Sequence, residues 1–373
     1  MIERLLASIV QNKLGKGKAI ILFGARQTGK TTLLRTLFSG TEKVLWLNGD
    51  DPDTHTIFQS ASATQLQIYF SGHTTLIIDE AQRIDDIGIK LKLITDQMPD
   101  IQLIATGSSS FELANKVNEP LTGRKWEYKL FPISFQEMVN HHGLLHEKRL
   151  LNHRLVFGSY PEVVAAESDH REILKQLSDS FLFKDILLWE KIKKSDKLIK
   201  LLKALAYQIG QEVSFNEIGK TIGLDNQTVE KYIQLLEQTF VIFRLPAFSR
   251  NHRKELKKSR KIYFFDNGIR NALIADFRPA ETRNDIGALW ENYLISERQK
   301  ANSYQQRWTN CYFWRTQAQQ EIDYIEEHDN TLHTYEFKWN PTKKARLSKT
   351  FSNTYPNHTF EVITPENYFE FLS

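Results

Sequence analysis

Gly24-Ala25-Arg26-Gln27-Thr28-Gly29-Lys30-Thr31 is the stretch that decides the fold. It matches the P-loop pattern G-x-x-x-x-G-K-[ST] in full, between a strand-like run, Ala19–Phe23, and a helical segment, Thr32–Phe38. The glycines let backbone N–H groups wrap around phosphates, and the following helix adds its positive end. Lys30 is expected to reach the β- and γ-phosphates of a nucleotide, and the Thr31 hydroxyl to ligate Mg²⁺. The residues predicted to bind ATP with Mg²⁺ are Gly24, Ala25, Arg26, Gln27, Thr28, Gly29, Lys30, Thr31 and Thr32.

An acidic pair completes the predicted nucleotide site. The apolar segment Thr74-Thr-Leu-Ile-Ile78 predicts a strand that carries Asp79 and Glu80 at its C-terminal end, beside the P-loop. In this position Asp79 can hold Mg²⁺ through water, and Glu80 can orient or deprotonate the attacking water. The pair favours an ATPase over a GTPase.

Two further positions are candidates for catalysis. The predicted strand Ile101–Ala105 ends in Thr106 and Ser108, where a polar side chain can sense the γ-phosphate or position water; an ordinary turn is the alternative. Arg124 can stabilise transition-state charge, in cis or from a neighbouring subunit. A surface ion pair is the alternative for Arg124.

The N-terminal part of the chain alternates apolar runs with segments of helical length. Such short, nearly continuous apolar runs favour a parallel sheet that is covered by helices on both faces. The predicted fold is therefore α/β. The predicted strands are Ala19–Phe23, Val44–Leu47, Thr75–Ile78 and Ile101–Ala105.

Further motifs accompany the P-loop along the chain. They are Ile77-Ile-Asp-Glu-Ala-Gln82, Ala105-Thr-Gly-Ser-Ser109, Leu121-Thr-Gly-Arg124, Phe131-Pro-Ile-Ser-Phe-Gln-Glu137 and Phe157-Gly-Ser-Tyr-Pro-Glu162. Together they resemble the AAA-superfamily ATPases of bacteria and archaea whose C-terminal half is a domain of unknown function. The resemblance covers nearly the whole chain and implies an AAA-type P-loop fold, but it leaves the substrate and the partner open.

A middle segment has the pattern of a helix-turn-helix with a wing. Ser214-Phe-Asn-Glu217 predicts a capping box that opens a short helix, Gly223 ends that helix, and Asp225 caps a second one before the strand-like run Val241–Leu245. The basic segment Arg250–Lys261 follows, in which seven of twelve residues are Lys or Arg. These features predict phosphate contacts with DNA or RNA. A lid or a protein-contact module is the alternative.

A second set of polar residues lies near the C-terminus. Glu291 falls on a predicted helix over 285–300, Asp323 on a strand, and Glu336 and Lys338 two apart on the next strand, where their side chains point the same way. Carboxylates can bind a divalent metal that activates water, while a lysine stabilises negative charge on a phosphorane. We therefore predict Glu291, Asp323 and Glu336 as metal ligands, and Asp323, Glu336 and Lys338 as catalytic residues.

The order of this C-terminal set, with Trp314-Arg315 before it, resembles the PD-(D/E)xK nuclease family. The resemblance implies a small α/β restriction-endonuclease-like domain with metal-dependent nuclease activity. A binding or dimerising module that keeps idle residues is the alternative, because a fold does not establish a function.

Composition limits the remaining possibilities. The 373 residues predict two or three domains, and the single cysteine, Cys311, excludes an intrachain disulfide and favours a reducing compartment. We find no signal-peptide pattern and no apolar run of membrane-spanning length, so we expect a cytoplasmic protein without a membrane contact. The net charge of +4 does not itself indicate nucleic-acid binding.

The sequence predicts four parts: an AAA-type ATPase core (1–143), a helical region (144–205), a winged-helix domain (206–278) and a nuclease-like domain (279–373). The leading hypothesis is an ATPase that acts on, or is regulated by, nucleic acid and carries a metal-dependent nuclease site. The alternative is an ATP-controlled switch or scaffold that binds DNA or a protein partner and cleaves nothing. A homo-oligomer remains open, as AAA-type proteins often form rings.

Overall fold

The structure is a computed structural model that describes residues 1–59, 62–108, 117–180, 195–250 and 260–373. Ser109 and residues 251–259 of the basic segment lie outside the described residues. The chain divides into two compact units, residues 1–132 with 238–240, and residues 133–237 with 241–373. The four-part division predicted from the sequence stays a prediction.

The first unit is built on a five-stranded parallel sheet. Its strands are β1 (Ala19–Phe23), β2 (Val44–Asn48), β3 (Thr75–Asp79), β4 (Gln102–Gly107) and β5 (Lys125–Lys129). Its described helices are α1 (Leu5–Gln11), α2 (Lys30–Leu37), α3 (Pro52–Gln59), α4 (Ala63–Phe70) and α5 (Ile87–Gln97), with a 3₁₀ turn over Ala81–Arg83. The strand order is β2-β3-β4-β1-β5, and every pairing in it is parallel. The predicted α/β fold and its four strands are confirmed.

Burial explains which strands the sequence made easiest to recognise. Every residue of β1 is buried, as are the first four of β3, because these strands lie inside the sheet and helices cover them. The edge strands β2 and β5 are only partly buried. Since the strands are parallel, the carboxyl ends of β1, β3 and β4 meet at one edge of the sheet, which is where a ligand is expected.

The second unit begins with helices and continues into two small sheets. Its described helices are α6 (Phe135–His142), α7 (Leu144–Arg149), α8 (Leu151–Phe157), α9 (Pro161–Ala165), α10 (His170–Ser180), α11 (Ser195–Tyr207), α12 (Phe215–Ile222), α13 (Asn226–Gln238), α14 (Asn267–Leu273), α15 (Ile286–Tyr304), α16 (Lys349–Thr354) and α17 (Tyr368–Leu372). Its strands are β6 (Glu212–Val213), β7 (Ile242–Pro246), β8 (Arg260–Phe264), β9 (Asn310–Arg315), β10 (Glu321–His328), β11 (Thr331–Phe337) and β12 (His358–Ile363). The helical pattern predicted from Leu144 to Leu205 is confirmed where the chain is described.

The middle segment follows the predicted order of elements. The Ser214 hydroxyl accepts a hydrogen bond from the Glu217 N–H, and Gly223, with φ +70°, ends α12 in the left-handed conformation that favours glycine. The Asp225 carboxylate accepts a hydrogen bond from the Thr228 N–H at the start of α13. An antiparallel sheet in the order β6-β8-β7 accompanies these helices.

The C-terminal sheet has the order β12-β11-β10-β9. Its β9–β10 and β10–β11 pairs are antiparallel, and β11–β12 is parallel. The middle sheet reaches it, since the Phe248 N–H just after β7 donates to the Phe313 carbonyl of β9 at 2.6 Å. Phe248 also belongs to an apolar cluster with Trp314, Ile322 and Phe351. Strand β8, which pairs with β7, contacts the start of β10, where Lys261 Nζ lies 2.5 Å from Glu321 Oε1.

Candidate functional site

The P-loop lies between β1 and α2, as its pattern predicts. Gly29 has φ +93°, a conformation that side chains with a Cβ rarely adopt, and α2 begins at the next residue. Gly24 has no room for a side chain, because a Cβ there would lie 2.2 Å from the Leu130 carbonyl oxygen. Both glycines are thus required by the path of the loop, and the backbone N–H groups at the start of α2 face the edge of the sheet where phosphate groups are expected.

Lys30 is held inside the loop. Its side chain is buried, and its Nζ donates to the carbonyl oxygens of Gly24 at 2.8 Å and of Ala25 at 3.0 Å. These contacts place the ammonium in the loop that a nucleotide phosphate is expected to enter.

Thr31 and Asp79 come together at the mouth of the loop. The Thr31 hydroxyl donates to Asp79 Oδ2 at 2.6 Å, although the two residues lie on different elements, α2 and β3. A hydroxyl and a carboxylate are oxygen donors of the kind that Mg²⁺ prefers. The residues present therefore fit the Mg²⁺ site predicted from the sequence.

Glu80 follows Asp79 in a constrained conformation. Its φ of +50° places it in the left-handed region, and its N–H donates to the Thr106 hydroxyl at 3.2 Å. The buried Thr106 hydroxyl in turn donates to Asp79. Thr106, predicted as a sensor residue, thus contacts both acidic residues.

Sequence reasoning missed Gln82, which fixes the Glu80 side chain. Gln82 is buried, and its Nε2 donates to Glu80 Oε2 at 2.6 Å and to the Ser108 hydroxyl at 3.2 Å. The signal available was its place in the Asp-Glu-Ala-Gln run. Gln82 thereby links the end of β3 to the end of β4.

Arg4 was also missed. Its guanidinium donates to the Thr28 carbonyl at 2.6 Å and to the Phe131 carbonyl at 2.7 Å, so it braces the P-loop from the residue before α1. A single arginine ahead of a short helix carries no spacing signal, and only the fold reveals this contact.

Of the alternatives left open for Arg124, action on the P-loop of its own chain does not fit the structure. Its carbonyl accepts from the Ala19 N–H, which puts it at the amino end of β1, whereas the P-loop follows the carboxyl end, about 13 Å further along the strand. Its Nε lies 2.5 Å from Asp96 Oδ1 in an exposed ion pair. The ion-pair alternative therefore describes Arg124 within one chain.

The C-terminal residues predicted as a site do come together. Lys338 Nζ lies 2.7 Å from Glu336 Oε2 and 3.9 Å from Asp323 Oδ2. Asp323 sits at an irregularity in the β9–β10 register, and its carboxylate accepts from the Phe337 N–H at 2.8 Å. Such bulges re-aim side chains near functional sites. Asp323 of β10 and Glu336 of β11 therefore lie close to the same lysine, Lys338.

Glu291 of α15 pairs with Lys261, which the sequence analysis placed in the basic segment predicted to contact phosphates. Lys261, the last residue of the basic segment, is 1% exposed, and its Nζ lies 3.0 Å from Glu291 Oε1 and 2.5 Å from Glu321 Oε1. The Tyr263 hydroxyl also donates to Glu291 Oε1, at 2.6 Å. The expectation that the whole basic segment forms a phosphate-contact surface is therefore wrong for Lys261, which turns inward from β8.

The predicted metal-ligand set of Glu291, Asp323 and Glu336 is not formed. Among the described residues, no group of three or more His, Cys, Asp or Glu side chains is arranged to hold a metal ion. Lysine ammonium groups already lie against these carboxylates, Lys261 at Glu291 and Lys338 at Glu336 and Asp323. The residues as arranged do not fit a divalent metal.

Electrostatics in this cluster reflects the crowding of carboxylates. Burial, and then repulsion from Asp323, raise the pKa of Glu336 to about 7, although Lys338 opposes the shift. Burial and the Asp323 charge also raise the pKa of Glu291, against the attraction of Lys261. For Lys261, burial lowers the pKa, but attraction to Glu291, Glu321 and Asp323 outweighs it and raises the pKa overall.

Comparisons with known proteins support the fold of the N-terminal part of the chain. An AAA domain model matches residues 16–139, and two domains of unknown function match residues 148–280 (DUF8612) and 286–369 (DUF4143). The Walker-type ATPase PABY2304 of Pyrococcus abyssi is similar in structure over 74% of this chain and 96% of its own, with a TM-score of 0.51 and 15% sequence identity. Residues 16–139 are therefore similar to an AAA domain, and the similarity to PABY2304 is one of fold.

Two uncharacterized proteins are similar over much of the sequence. One, from Mycobacterium tuberculosis, is 26% identical over 92% of this chain and 75% of its own length. The other, from Haemophilus influenzae, is 26% identical over 68% of each chain. In the described part of this chain, no helix is both long and apolar enough to cross a membrane.

Proposed function

We propose that this protein is a Mg²⁺-dependent ATPase in which Lys30, Thr31, Asp79 and Glu80 bind and hydrolyse ATP. The observation that carries the proposal is the 2.6 Å contact between the Thr31 hydroxyl and Asp79, at the edge of the sheet that the P-loop also borders. This contact puts a candidate metal ligand from the phosphate-binding helix beside one from the acidic strand.

Each residue has a distinct role in this proposal. The backbone N–H groups of residues 24–32 and the Lys30 ammonium bind the phosphates. Thr31 and Asp79 hold Mg²⁺, which neutralises charge on the phosphate oxygens when bound. When the nucleotide is bound, the Lys30 ammonium donates charge-assisted hydrogen bonds to phosphate oxygens.

Glu80 accepts a proton from the attacking water or orients that water in line with the γ-phosphate. The contacts of Gln82 and Thr106 support this role, because they fix the Glu80 side chain and backbone before the nucleotide arrives. Thr106 and Gln82 therefore act as positioning residues.

The test compares ATP turnover and nucleotide binding in Glu80→Gln and in a control, Glu42→Gln, which alters an exposed glutamate before β2. We expect Glu80→Gln to lower turnover about 100-fold or more while binding of a fluorescent ATP analogue stays similar. Glu42→Gln should behave like the unmodified chain. Absence of turnover in the unmodified chain, or its survival in Glu80→Gln, would contradict the proposal.

We further propose that residues 206–278 form a winged-helix domain that contacts nucleic acid or a protein partner. The order β6-α12-α13-β7-β8, with an antiparallel three-strand sheet, supports this assignment. A nucleic-acid partner predicts ATP turnover that DNA or RNA stimulates and that high salt reduces. Turnover indifferent to both, with a protein recovered in complex, would favour the protein partner.

For the C-terminal domain, we propose the role of a binding module in an ATP-controlled switch, in place of a nuclease. The observation that favours it is that Lys261 and Lys338 already pair with the carboxylates a metal would need. The test is cleavage of single-stranded DNA, duplex DNA and RNA with Mg²⁺ or Mn²⁺, with and without ATP, in the unmodified chain and in Lys338→Ala. No cutting supports the switch, whereas cutting that Lys338→Ala abolishes would restore the nuclease hypothesis.

A further inference from the structure

Lys261 lies in the C-terminal acidic cluster, which comprises Glu291, Glu321, Asp323 and Glu336, and pairs with the first two of these. Its side chain is 2% exposed, and its ammonium lies within 3.0 Å of Glu291 from α15 and 2.5 Å of Glu321 from β10. The position follows from β8: Lys261 and Tyr263 are two apart, share one face of the strand, and both reach Glu291. The ring of Phe313 lies beneath the ammonium, 5.4 Å from Nζ.

Lysine side chains already pair with the carboxylates of the acidic cluster. Lys261 forms ion pairs with Glu291 and Glu321, and Lys338 forms ion pairs with Glu336 and Asp323. Arg315 adds a third positive charge, 3.6 Å from Glu321. Four carboxylates thus face three basic side chains, which removes most of the negative charge that would attract a divalent ion.

The available space also excludes a metal ion at the position of the Lys261 ammonium. A metal ion needs its carboxylate oxygens at about 2.0–2.6 Å. The Lys261 ammonium stands at nearly this distance from two of those oxygens, so an ion and the ammonium cannot share the position. The Lys261 side chain is only 2% exposed, so its ammonium is held against the carboxylates with little access to solvent.

We infer that Lys261 is the resident cation of the acidic cluster and takes the place of a divalent metal between α15 and β10. The ammonium ties the middle sheet to the C-terminal domain, and Lys261 is a positioning residue that keeps these carboxylates unavailable to metal. This inference deepens the proposed switch and rests on the part of it that excludes cleavage, but it does not depend on ATP hydrolysis.

The test measures Mn²⁺ binding by electron paramagnetic resonance in a Thr31→Ala background, without nucleotide, so that the P-loop contributes no metal site. We expect this chain to show no Mn²⁺ binding that depends on Asp323. Adding Lys261→Met should create one Mn²⁺ site, with an affinity at least about tenfold above the weakest binding that the measurement detects in the Thr31→Ala chain, because it removes the competing charge and leaves the carboxylates. Asp323→Asn in that variant should remove the new site.

The matched control is Lys300→Met. Lys300 is also a buried lysine, 2.7 Å from Glu297 within α15, but its partner is outside the acidic cluster. Both variants should melt at a lower temperature, since each leaves a carboxylate without its cation. Mn²⁺ should restore the melting temperature of Lys261→Met and leave that of Lys300→Met unchanged.

Two results would overturn the inference: Mn²⁺ binding in the Thr31→Ala chain that Asp323→Asn abolishes, or a folded Lys261→Met chain that gains no Mn²⁺ site. If Lys261→Met does not fold, the first measurement still decides, because it needs no change at Lys261. Absence of ATP turnover in the unmodified chain would contradict the ATPase proposal. It would not affect the interpretation of the Mn²⁺ measurements, which are made without nucleotide.

Discussion

The P-loop and the C-terminal acidic cluster contain similar residues in different electrostatic states. Each brings a lysine, carboxylates and a hydroxyl together from separate elements. In the P-loop, Lys30 donates to backbone carbonyl oxygens, whereas Lys261 and Lys338 lie against carboxylates. The contacts of Lys30 place its ammonium where phosphate groups are expected, whereas the contacts of Lys261 and Lys338 place theirs against carboxylates that a metal would need. The surroundings of a lysine, together with its motif, therefore determine what can bind beside it.

The largest effect that this comparison predicts is the loss of Lys30. We expect Lys30→Ala to lower ATP turnover about 100-fold or more, because the substitution removes the charge that meets the β- and γ-phosphates. The measurement is steady-state phosphate release at saturating ATP, with binding of a fluorescent nucleotide followed in parallel.

The matched control for Lys30→Ala is Lys338→Ala, which removes a lysine of the other cluster. Its ATP turnover should stay within about twofold of the unmodified chain. Equal losses in both variants would break the comparison, since they would mean that the two clusters act in one reaction.

A smaller effect is expected from Thr106→Val, which keeps the shape of the side chain and removes its hydroxyl. Thr106 contacts both Asp79 and the Glu80 N–H, so turnover should fall about 10- to 100-fold with little change in nucleotide binding. Thr95→Val is the control, since the Thr95 hydroxyl donates only locally to the Leu91 carbonyl of α5 at 2.8 Å. Unchanged turnover in Thr106→Val would contradict a catalytic role and favour the alternative that this residue belongs to an ordinary turn.

The acidic cluster predicts a pH dependence of stability. The pKa of Glu336 is raised from 4.5 to about 7, so between these pH values the folded chain binds more protons at this site than the unfolded chain. The free energy of unfolding therefore falls as pH rises through this window, and the penalty is complete above pH 7. Glu336→Gln should gain stability relative to the unmodified chain on going from pH 5 to pH 8, by about 1–2 kcal/mol.

Thermal melting at a series of pH values checks this dependence. Glu361→Gln, which alters an exposed glutamate on β12, is the control and should follow the unmodified chain. A Glu336→Gln curve parallel to that of the unmodified chain would show that the pKa of Glu336 is not raised. It would contradict the repulsion between carboxylates that the comparison assigns to the acidic cluster.

The two regions also differ in how far the sequence could predict them. Continuous apolar runs and a full P-loop motif predict the sheet, the loop and the position of Asp79 and Glu80, because all of these depend on local pattern. The sequence pattern also predicts that one cluster contains Glu291, Asp323, Glu336 and Lys338. The contacts that determine what the C-terminal cluster can bind are between elements far apart in the chain.

Lys261 illustrates that limit. It ends a run of basic residues, and such a run ordinarily lies in solvent, so composition predicts exposure. The signal for burial is the apolar stretch Ile262–Phe264 that follows and the spacing of two from Tyr263, which together indicate a strand with one inward face. Even with that signal, the partners Glu291 and Glu321 depend on how β8 packs against α15 and β10.

The smallest predicted effect concerns Arg124. Within one chain it lies at the far end of β1 from the P-loop and pairs with Asp96 at the surface. Arg124→Ala should therefore leave ATP turnover within about twofold and lower stability by less than about 1 kcal/mol, as exposed ion pairs contribute little. Asp96→Ala, which breaks the same pair, should give the same small loss of stability. A large fall in turnover in Arg124→Ala alone, in a chain whose activity rises with protein concentration, would instead mean that a neighbouring subunit receives this arginine, since the distance rules out its own P-loop.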